Sequence, residues 1–341
     1  MPTDDLCGQQ IKRLAEALYA VSPDVQRKLV EDTAEYTAIR EQIYQLSLAL
    51  AGENQGGITA TPVQQTAQPV VRSGNRRGHK IVFGWYGGKF SHLNWLLPLL
   101  PSAHHYCEPF GGSAAVLLNR DCSPVETYND LDGQMVNFFR VLRDHTDDLL
   151  KAIALTPFSR EEFALAIAQP DGEPSSLERA RRFFVRARQV RTGLAQTASI
   201  GRWANCKQTS RAGMAGVVSR WLGSVEDLPE IAARLLRVQI ENRPAIEVIR
   251  LYDSPDTLLY CDPPYPHETR GDSKAYKYEM TTSDHVELAG VLTSVKGKVA
   301  ISGYHGELMD ELYRGWRCAD APVKNCHSVK KPRQETVWMN Y

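Results

Sequence analysis

The chain has 341 residues, 43% of them apolar and 23% charged. This is the composition of a soluble globular protein with enough apolar material for a sizeable core, and the length predicts two domains with an appendage. No apolar run approaches the ~20 residues of a spanning helix, which argues against a membrane protein. Forty basic residues balance forty acidic ones, so the overall charge points to no polyanionic partner. The seven cysteines are scattered without a C-x-x-C pair, and the nine histidines show no metal-ligand spacing, so no metal site is expected. The acidic start Met-Pro-Thr-Asp-Asp lacks a signal-peptide core, and the cysteine usage suits a reducing cytoplasm.

Residues 1–50 read as a helical extension. Ile11, Leu14 and Leu18, then Tyr36, Ile39, Ile43, Leu46 and Leu50, fall at helical spacing, with Ser22-Pro23 as a break and fresh N-terminus. Such a hairpin packs on a neighbour or on a second copy, so self-association through this segment is an expectation. Residues 51–79, rich in Gly, Gln, Thr and Pro, read as a flexible linker.

From Lys80 the pattern is α/β. Leu93 to Leu100 predicts a helix ended by Pro101. His105–Glu108 predicts a strand running into Pro109-Phe110-Gly111-Gly112-Ser113, followed by a helical run from Ala114 to Leu118. Val125–Tyr128 predicts a second strand ended by Asn129-Asp130, and an amphipathic helix follows with Met135, Phe138, Phe139, Val141 and Leu142. Residues 146–235 are mostly helical and basic, interrupted by a polar stretch from Gly193 to Gly216. Strands are expected at Val238–Glu241, Leu258–Cys261, Val299–Ser302 and near Trp316 and Val337, with helices over Ser283–Leu292 and Gly306–Tyr313.

Three motifs carry chemistry. Asp262-Pro263-Pro264-Tyr265 follows an apolar strand, and two prolines force a rigid turn at its carboxyl end, where open α/β sheets bind ligands. The Asp262 carboxylate and the Pro263 carbonyl suit the two hydrogens of an exocyclic amino group, and Tyr265 suits stacking on a ring. The plain alternative is a strand-terminating turn with a capping acid. Glu108 to Ser113 is a glycine turn between strand and helix that lets backbone approach a ligand. Asp130 stands about 20 residues beyond Glu108, the spacing at which an acid meets ribose hydroxyls. The absence of G-x-G-x-x-G, with Glu108 and Pro109 in place, favours a nucleoside without phosphates. Trp85-Tyr86-Gly87-Gly88-Lys89 is either a glycine turn with a surface lysine or a backbone approach, with Lys89 holding a carboxylate and Trp85 covering an apolar or cationic part.

Taken in order, these blocks resemble the DNA adenine methyltransferase (Dam-like) family of S-adenosylmethionine-dependent enzymes, over roughly Lys80 to Tyr341. The resemblance implies a mixed, mainly parallel seven-stranded sheet flanked by helices, built from residues 80–145 and 236–341, with residues 146–235 as a helical DNA-recognition insert. It implies S-adenosylmethionine as cofactor, bound by Trp85, Lys89, Phe110, Gly111, Gly112, Asp130 and Asp262. It assigns catalysis to Asp262, Pro263, Pro264 and Tyr265, in the alpha motif order. One block departs: where many relatives carry Asn-x-Asp-Phe, this chain reads Asn242-Arg243-Pro244-Ala245, which leaves the contact to the cofactor's adenine unassigned.

The implied activity is methylation of a flipped-out adenine at N6 in double-stranded DNA, with a restriction enzyme as a candidate partner. A cytosine-N4 or RNA base methyltransferase, or a catalytically silent DNA-binding protein, are the competing readings. Between Ser176 and Trp221 ten basic residues face a single acid, Glu178. Within that stretch Arg202, Asn205, Lys207 and Arg211 are the candidates for DNA contact, being side chains suited to base edges and phosphates. The alternative for Arg179 to Arg191 is a solvated helix face or ion pairs with Asp144, Asp147 and Asp148. Residues 266–278 read as a loop that orders over substrate, and Lys330, Lys331 and Arg333 as a further phosphate contact.

Overall fold

The computed structural model describes residues 78–169, 172–193, 195–211, 213–269, 277–323 and 334–341. The expected extension over 1–50, the linker up to residue 77, residues 270–276 of the loop after the proline turn, and Lys330, Lys331 and Arg333 lie outside them.

The predicted helix over Leu93–Leu100 is shorter than its apolar pattern. Helix α1 covers only Leu93–Leu96 and passes into a 3-10 turn over Leu97–Leu99. Pro98 is the reason: it has no N–H to give to the preceding turn. Strand β1 is His105–Glu108 and β2 is Val125–Asn129. Between them the expected helix over Ala114–Leu118 is only a turn. Ala114 has a φ of 56°, outside the right-handed helical region, and only isolated bonds such as Leu118 N–H to the Ala114 carbonyl follow.

Helix α2, Gly133–Asp144, begins at Asp132, whose side chain accepts from the Gln134 N–H. The insert contains α3 (Thr146–Ala154), α4 (Arg160–Ile167) and α5 (Ser176–Gln189), then a small hairpin of β3 (Ser210–Arg211) and β4 (Met214–Ala215), and α6 (Gly216–Leu222) and α7 (Leu228–Leu235). Strand β5 is Val238–Glu241. It is followed by α8, Ala245–Tyr252, an element its short apolar run did not announce. Then come β6 (Thr257–Cys261), α9 (Thr282–Leu292), β7 (Lys298–Tyr304), α10 (Glu307–Leu312), β8 (Arg317–Asp320) and β9 (Glu335–Met339).

Seven strands form one sheet in the order β5-β2-β1-β6-β7-β9-β8. All pair in parallel except β9, which runs antiparallel to β7 and β8. The mixed, mainly parallel sheet is therefore present as expected. Both faces are covered, which is why the central strands read as continuous apolar runs. Tyr106, Leu258, Tyr260 and Met339 point to one core, and Cys107, Leu259, Cys261 and Trp338 to the other. On the first face Phe83, Phe138, Phe139, Phe183 and Phe184 form a ring-on-ring cluster that fastens α5 of the insert to α2. The chain order reverses between β1 and β6, and the carboxyl ends of these strands open a crevice at that point.

Candidate active site

The crevice is a cleft of about 990 Å³, part of it open to solvent. Trp85 to Lys89, Glu108 to Ser113, Asp130, Leu131, Ala245, Asp262, Pro264 and Met280 are among the residues that line it. Three sequence-separated blocks meet here because β1, β2 and β6 are neighbours and end on the same side.

The glycine turn after β1 is held by the end of β2. Gly111 N–H donates to the Asn129 carbonyl at 2.7 Å, and the Tyr128 hydroxyl donates to the Gly112 carbonyl at 2.7 Å. A Cβ on Gly111 would meet the Tyr128 ring at 2.2 Å, so packing against that ring demands the glycine. Gly112 has a φ of 50°, and a Cβ there would sit 3.6 Å from the Trp85 indole. Asp130 takes the Gly112 N–H on one oxygen at 2.9 Å and the Asp132 N–H on the other at 2.7 Å. Burial raises its pKa to about 6, against the pull of those two donors.

The departing block Asn242-Arg243 has a structural task. Asn242 donates to the Asp130 carbonyl at 2.7 Å, and Asn129 bonds both the carbonyl and the N–H of Arg243. These contacts clamp the acid-bearing turn to the end of β5. They also bring Ala245 and the 47%-exposed Leu131 onto the cleft wall.

Asp262 leaves β6 into a cluster of four side chains. Lys89 Nζ lies 2.6 Å from Asp262 Oδ1 and 3.1 Å from Glu335 Oε1, and donates to the Gly87 carbonyl at 2.8 Å. The Tyr265 hydroxyl donates to Glu335 and lies 3.2 Å from Asp262 Oδ1. Burial opposes the charge on Lys89, but Asp262 and Glu335 outweigh it and hold its pKa well above the usual value. Burial raises Asp262 to about 6, with Lys89 restraining the shift and Glu335 adding to it. Deeper in the wall Glu108, pushed up to about 8 mainly by burial, accepts from the Tyr106 hydroxyl at 2.6 Å.

The family-level comparison matches residues 85–333 to the D12 class N6 adenine-specific DNA methyltransferases. The chain belongs to that family. Among curated relatives, a DNA adenine methylase of Vibrio cholerae O395 is 25% identical over 246 residues, covering 68% of this chain and 83% of the relative. Its counterpart in strain N16961 matches equally. A DNA N-6-adenine-methyltransferase of Escherichia phage P1 is 22% identical over 241 residues, covering 68% of this chain and 31% of that longer protein.

As a D12-class methyltransferase the chain acts on DNA with a methyl-donor cofactor. All the residues expected at the cofactor line the cleft: Trp85, Lys89, Phe110, Gly111, Gly112, Asp130 and Asp262. Of the proline turn, Asp262 and Pro264 line it, whereas Pro263 is buried behind them. Tyr265 is only 6% exposed, with its ring edge-on to Tyr304 and its hydroxyl turned to the carboxylates, so little of it is open for stacking. Glu335 was not singled out from sequence, because an acid at the start of a strand carries no local signal. Gln196 was missed too. It reaches the cleft from the insert and accepts the Lys277 N–H at 3.1 Å.

The four candidates for DNA contact lie away from the cleft. Asn205, Lys207 and Arg211 are exposed, while Arg202 is half-buried and donates to the Thr197 hydroxyl at 3.2 Å. Asn205 and Lys207 share a shallow depression with Arg220 beneath the β3–β4 hairpin. The arginines of α5 are largely committed to the fold. Arg181 pairs with Glu178 and Glu162, Arg182 with Glu178, and Arg186 and Arg188 donate to the carbonyls of Ala166 and Val82. The alternative weighed for these arginines, ion pairs with Asp144, Asp147 and Asp148, gives way to these partners among the described residues, and Asp144 pairs with Arg143. Among the described residues no helix is long and apolar enough to cross a membrane.

Proposed function

We propose that this chain moves a methyl group from S-adenosylmethionine to the N6 amino group of an adenine turned out of double-stranded DNA. The observation that carries the reading is the Asp262 carboxylate, held by Lys89 on a rigid proline turn at the wall of the cleft.

The lining fits the cofactor. Lys89 is the single cation among the described lining residues, and two carboxylates already engage it. A polyphosphate therefore finds no free cation, whereas the positive charges of a cationic nucleoside find Asp130 and Asp262; Lys89, expected to hold a ligand carboxylate, is instead held by Asp262 and Glu335. Asp130 keeps lone pairs for ribose hydroxyls beyond the two backbone donors it accepts. Trp85, Phe110, Leu131 and Ala245 supply apolar surface for the uncharged parts. When bound, S-adenosylmethionine supplies a methyl group already attached to a good leaving group.

The chain's own residues do the rest by positioning. Asp262 accepts a hydrogen bond from the target amino group, which favours a pyramidal nitrogen with its lone pair free of the ring. Both contacts of Asp262 within the cluster fall on Oδ1, and the carboxylate has a second oxygen to offer. Lys89 keeps the carboxylate ionised against burial. Glu335 and Tyr265 fix Lys89 and Asp262 in one geometry. The target base reaches this site only when unstacked, at a cost of a few kcal/mol. Residues 80–145 and 236–341 form the catalytic part in this reading, and residues 146–235 provide the DNA contacts, with Asn205, Lys207 and Arg211 nearest to the solvent.

The test is radiolabelled methyl transfer from S-adenosylmethionine to unmethylated double-stranded DNA, followed by nucleoside mass analysis. Labelled N6-methyladenine is expected. Label in cytosine or in RNA alone would overturn the assigned substrate. No label despite demonstrated cofactor binding would favour a silent DNA-binding role.

A further inference from the structure

We propose that His305, Cys318 and Asp320 form a zinc-binding site on the edge of the sheet remote in sequence from the proline turn. The histidine follows β7, and the other two residues alternate along β8, so they share one face of that edge strand. His305 Nε2 lies 3.0 Å from Asp320 Oδ1 and 3.8 Å from Cys318 Sγ, and the three ligand atoms all lie within 4.8 Å of one another. Zinc bonds to nitrogen, oxygen and sulfur place tetrahedral ligands roughly 3.4–3.8 Å apart. The two separations from His305 bracket that range and the third is no more than 4.8 Å, so small side-chain shifts admit an ion. Three protein ligands leave a fourth position for water.

Three further contacts orient the ligands. Asp310 of α10 lies 2.6 Å from His305 Nδ1, which directs Nε2 toward Cys318 and Asp320. A carboxylate behind the non-ligating nitrogen is the usual support for a metal-bound imidazole. The Trp338 ring stands edge-on to the imidazole at 5.4 Å and limits its swing. Asp320 Oδ1 also accepts from the Thr336 hydroxyl at 2.8 Å, which ties the ligand to β9. Nitrogen, thiolate and a single carboxylate suit zinc; magnesium and calcium prefer all-oxygen shells. Binding displaces the protons on Nε2 and Sγ.

The site has a mechanical consequence. Among the described residues β8 is the last strand of the sheet and pairs with β9 alone. An ion at this point pins β8 to the end of β7. Thr336, which holds Asp320, is adjacent to Glu335 of the Lys89–Asp262 cluster.

The experiment is titration of the metal-free full chain with Co²⁺, then displacement by Zn²⁺. One equivalent is expected, with tetrahedral cobalt bands and a thiolate-to-cobalt charge-transfer band, and a higher melting temperature once zinc is bound. Cys318→Ser should lose the charge-transfer band. His305→Ala should lose stoichiometric uptake, and Asp310→Asn should weaken affinity by about 10–100-fold. All these side chains are solvent-exposed, and circular dichroism checks that each variant is folded. No stoichiometric uptake by the unaltered chain overturns the proposal. So does a charge-transfer band that survives Cys318→Ser, or affinity unchanged in His305→Ala. These readouts are independent of methyl transfer.

Discussion

Asp262 answers to two demands, since it must be ionised to accept from an amino group yet sits largely out of water. Lys89 reconciles them, and the outcome is a carboxylate titrating near pH 6. Asp262→Asn keeps the shape and removes the charge, so turnover is expected to fall by about 10²–10⁴-fold while S-adenosylmethionine affinity falls far less, because Asp130 and the glycine turn remain. Stopped-time assays and equilibrium binding on the same protein separate the two. In the unaltered enzyme kcat/KM should fall as pH drops below about 6. Glu108 poses the opposite case. Its pKa rises from 4.5 to about 8 on folding, mainly through burial. The folded protein therefore keeps a proton that the unfolded chain has lost, and stability declines as pH rises from about 4.5 to 8. Glu108→Gln has no proton to lose, so that decline should shrink. Guanidinium unfolding at pH 5 and pH 8 makes the comparison, and an identical decline in the variant would rule the account out.

At the scale of elements, α5 shows how a basic stretch divides its labour. Arg181 is 9% exposed and bonds Glu178, Glu162 and the Thr156 hydroxyl, so it binds three parts of the insert together. Arg181→Ala strands partly buried carboxylates and is expected to cost about 3 kcal/mol, read as a lower denaturation midpoint. Lys207 and Arg211 are exposed beside the β3–β4 hairpin. Lys207→Ala and Arg211→Ala should leave stability within about 0.5 kcal/mol. Each should reduce the slope of log affinity for DNA against log salt by about 0.9, the share of one phosphate. A slope unchanged by both would remove the hairpin from the DNA interface.

For the whole molecule, every residue of the cleft lies within one unit, Gly74–Tyr341, and the family match begins at residue 85. Removal of residues 1–75 is accordingly expected to leave methyl transfer intact, as measured by kcat/KM on the same DNA. A truncated protein that folds but does not turn over would assign the N-terminal segment to the reaction. The insert is part of this unit, since the aromatic cluster joins α5 to α2 and Gln196 reaches the cleft from it. Changes in the insert should therefore be read for cofactor affinity as well as DNA affinity.

Local pattern was sufficient for most strands and for the motif blocks. Burial on both faces writes continuous apolar runs, and glycine or proline turns punctuate them. β1, β2, β5 and β6 were therefore legible from residues 105–108, 125–128, 238–241 and 258–261, each within one residue of the observed strand. So were the glycine and proline turns that carry the cleft positions, while the roles of Trp85 to Asp262 at a cofactor came from the resemblance of the blocks, taken in order, to the methyltransferase family. Backbone detail inside an apolar run was not legible. Pro98 shortens α1, and the left-handed Ala114 breaks the run that follows it. Nor were pairings between distant segments. Lys89 with Glu335, Arg181 with Glu162, and His305 with Cys318 and Asp320 depend on which strands and helices lie side by side. Periodicity decides which face of an element is buried, while only the order of strands in the sheet decides which charges meet across it.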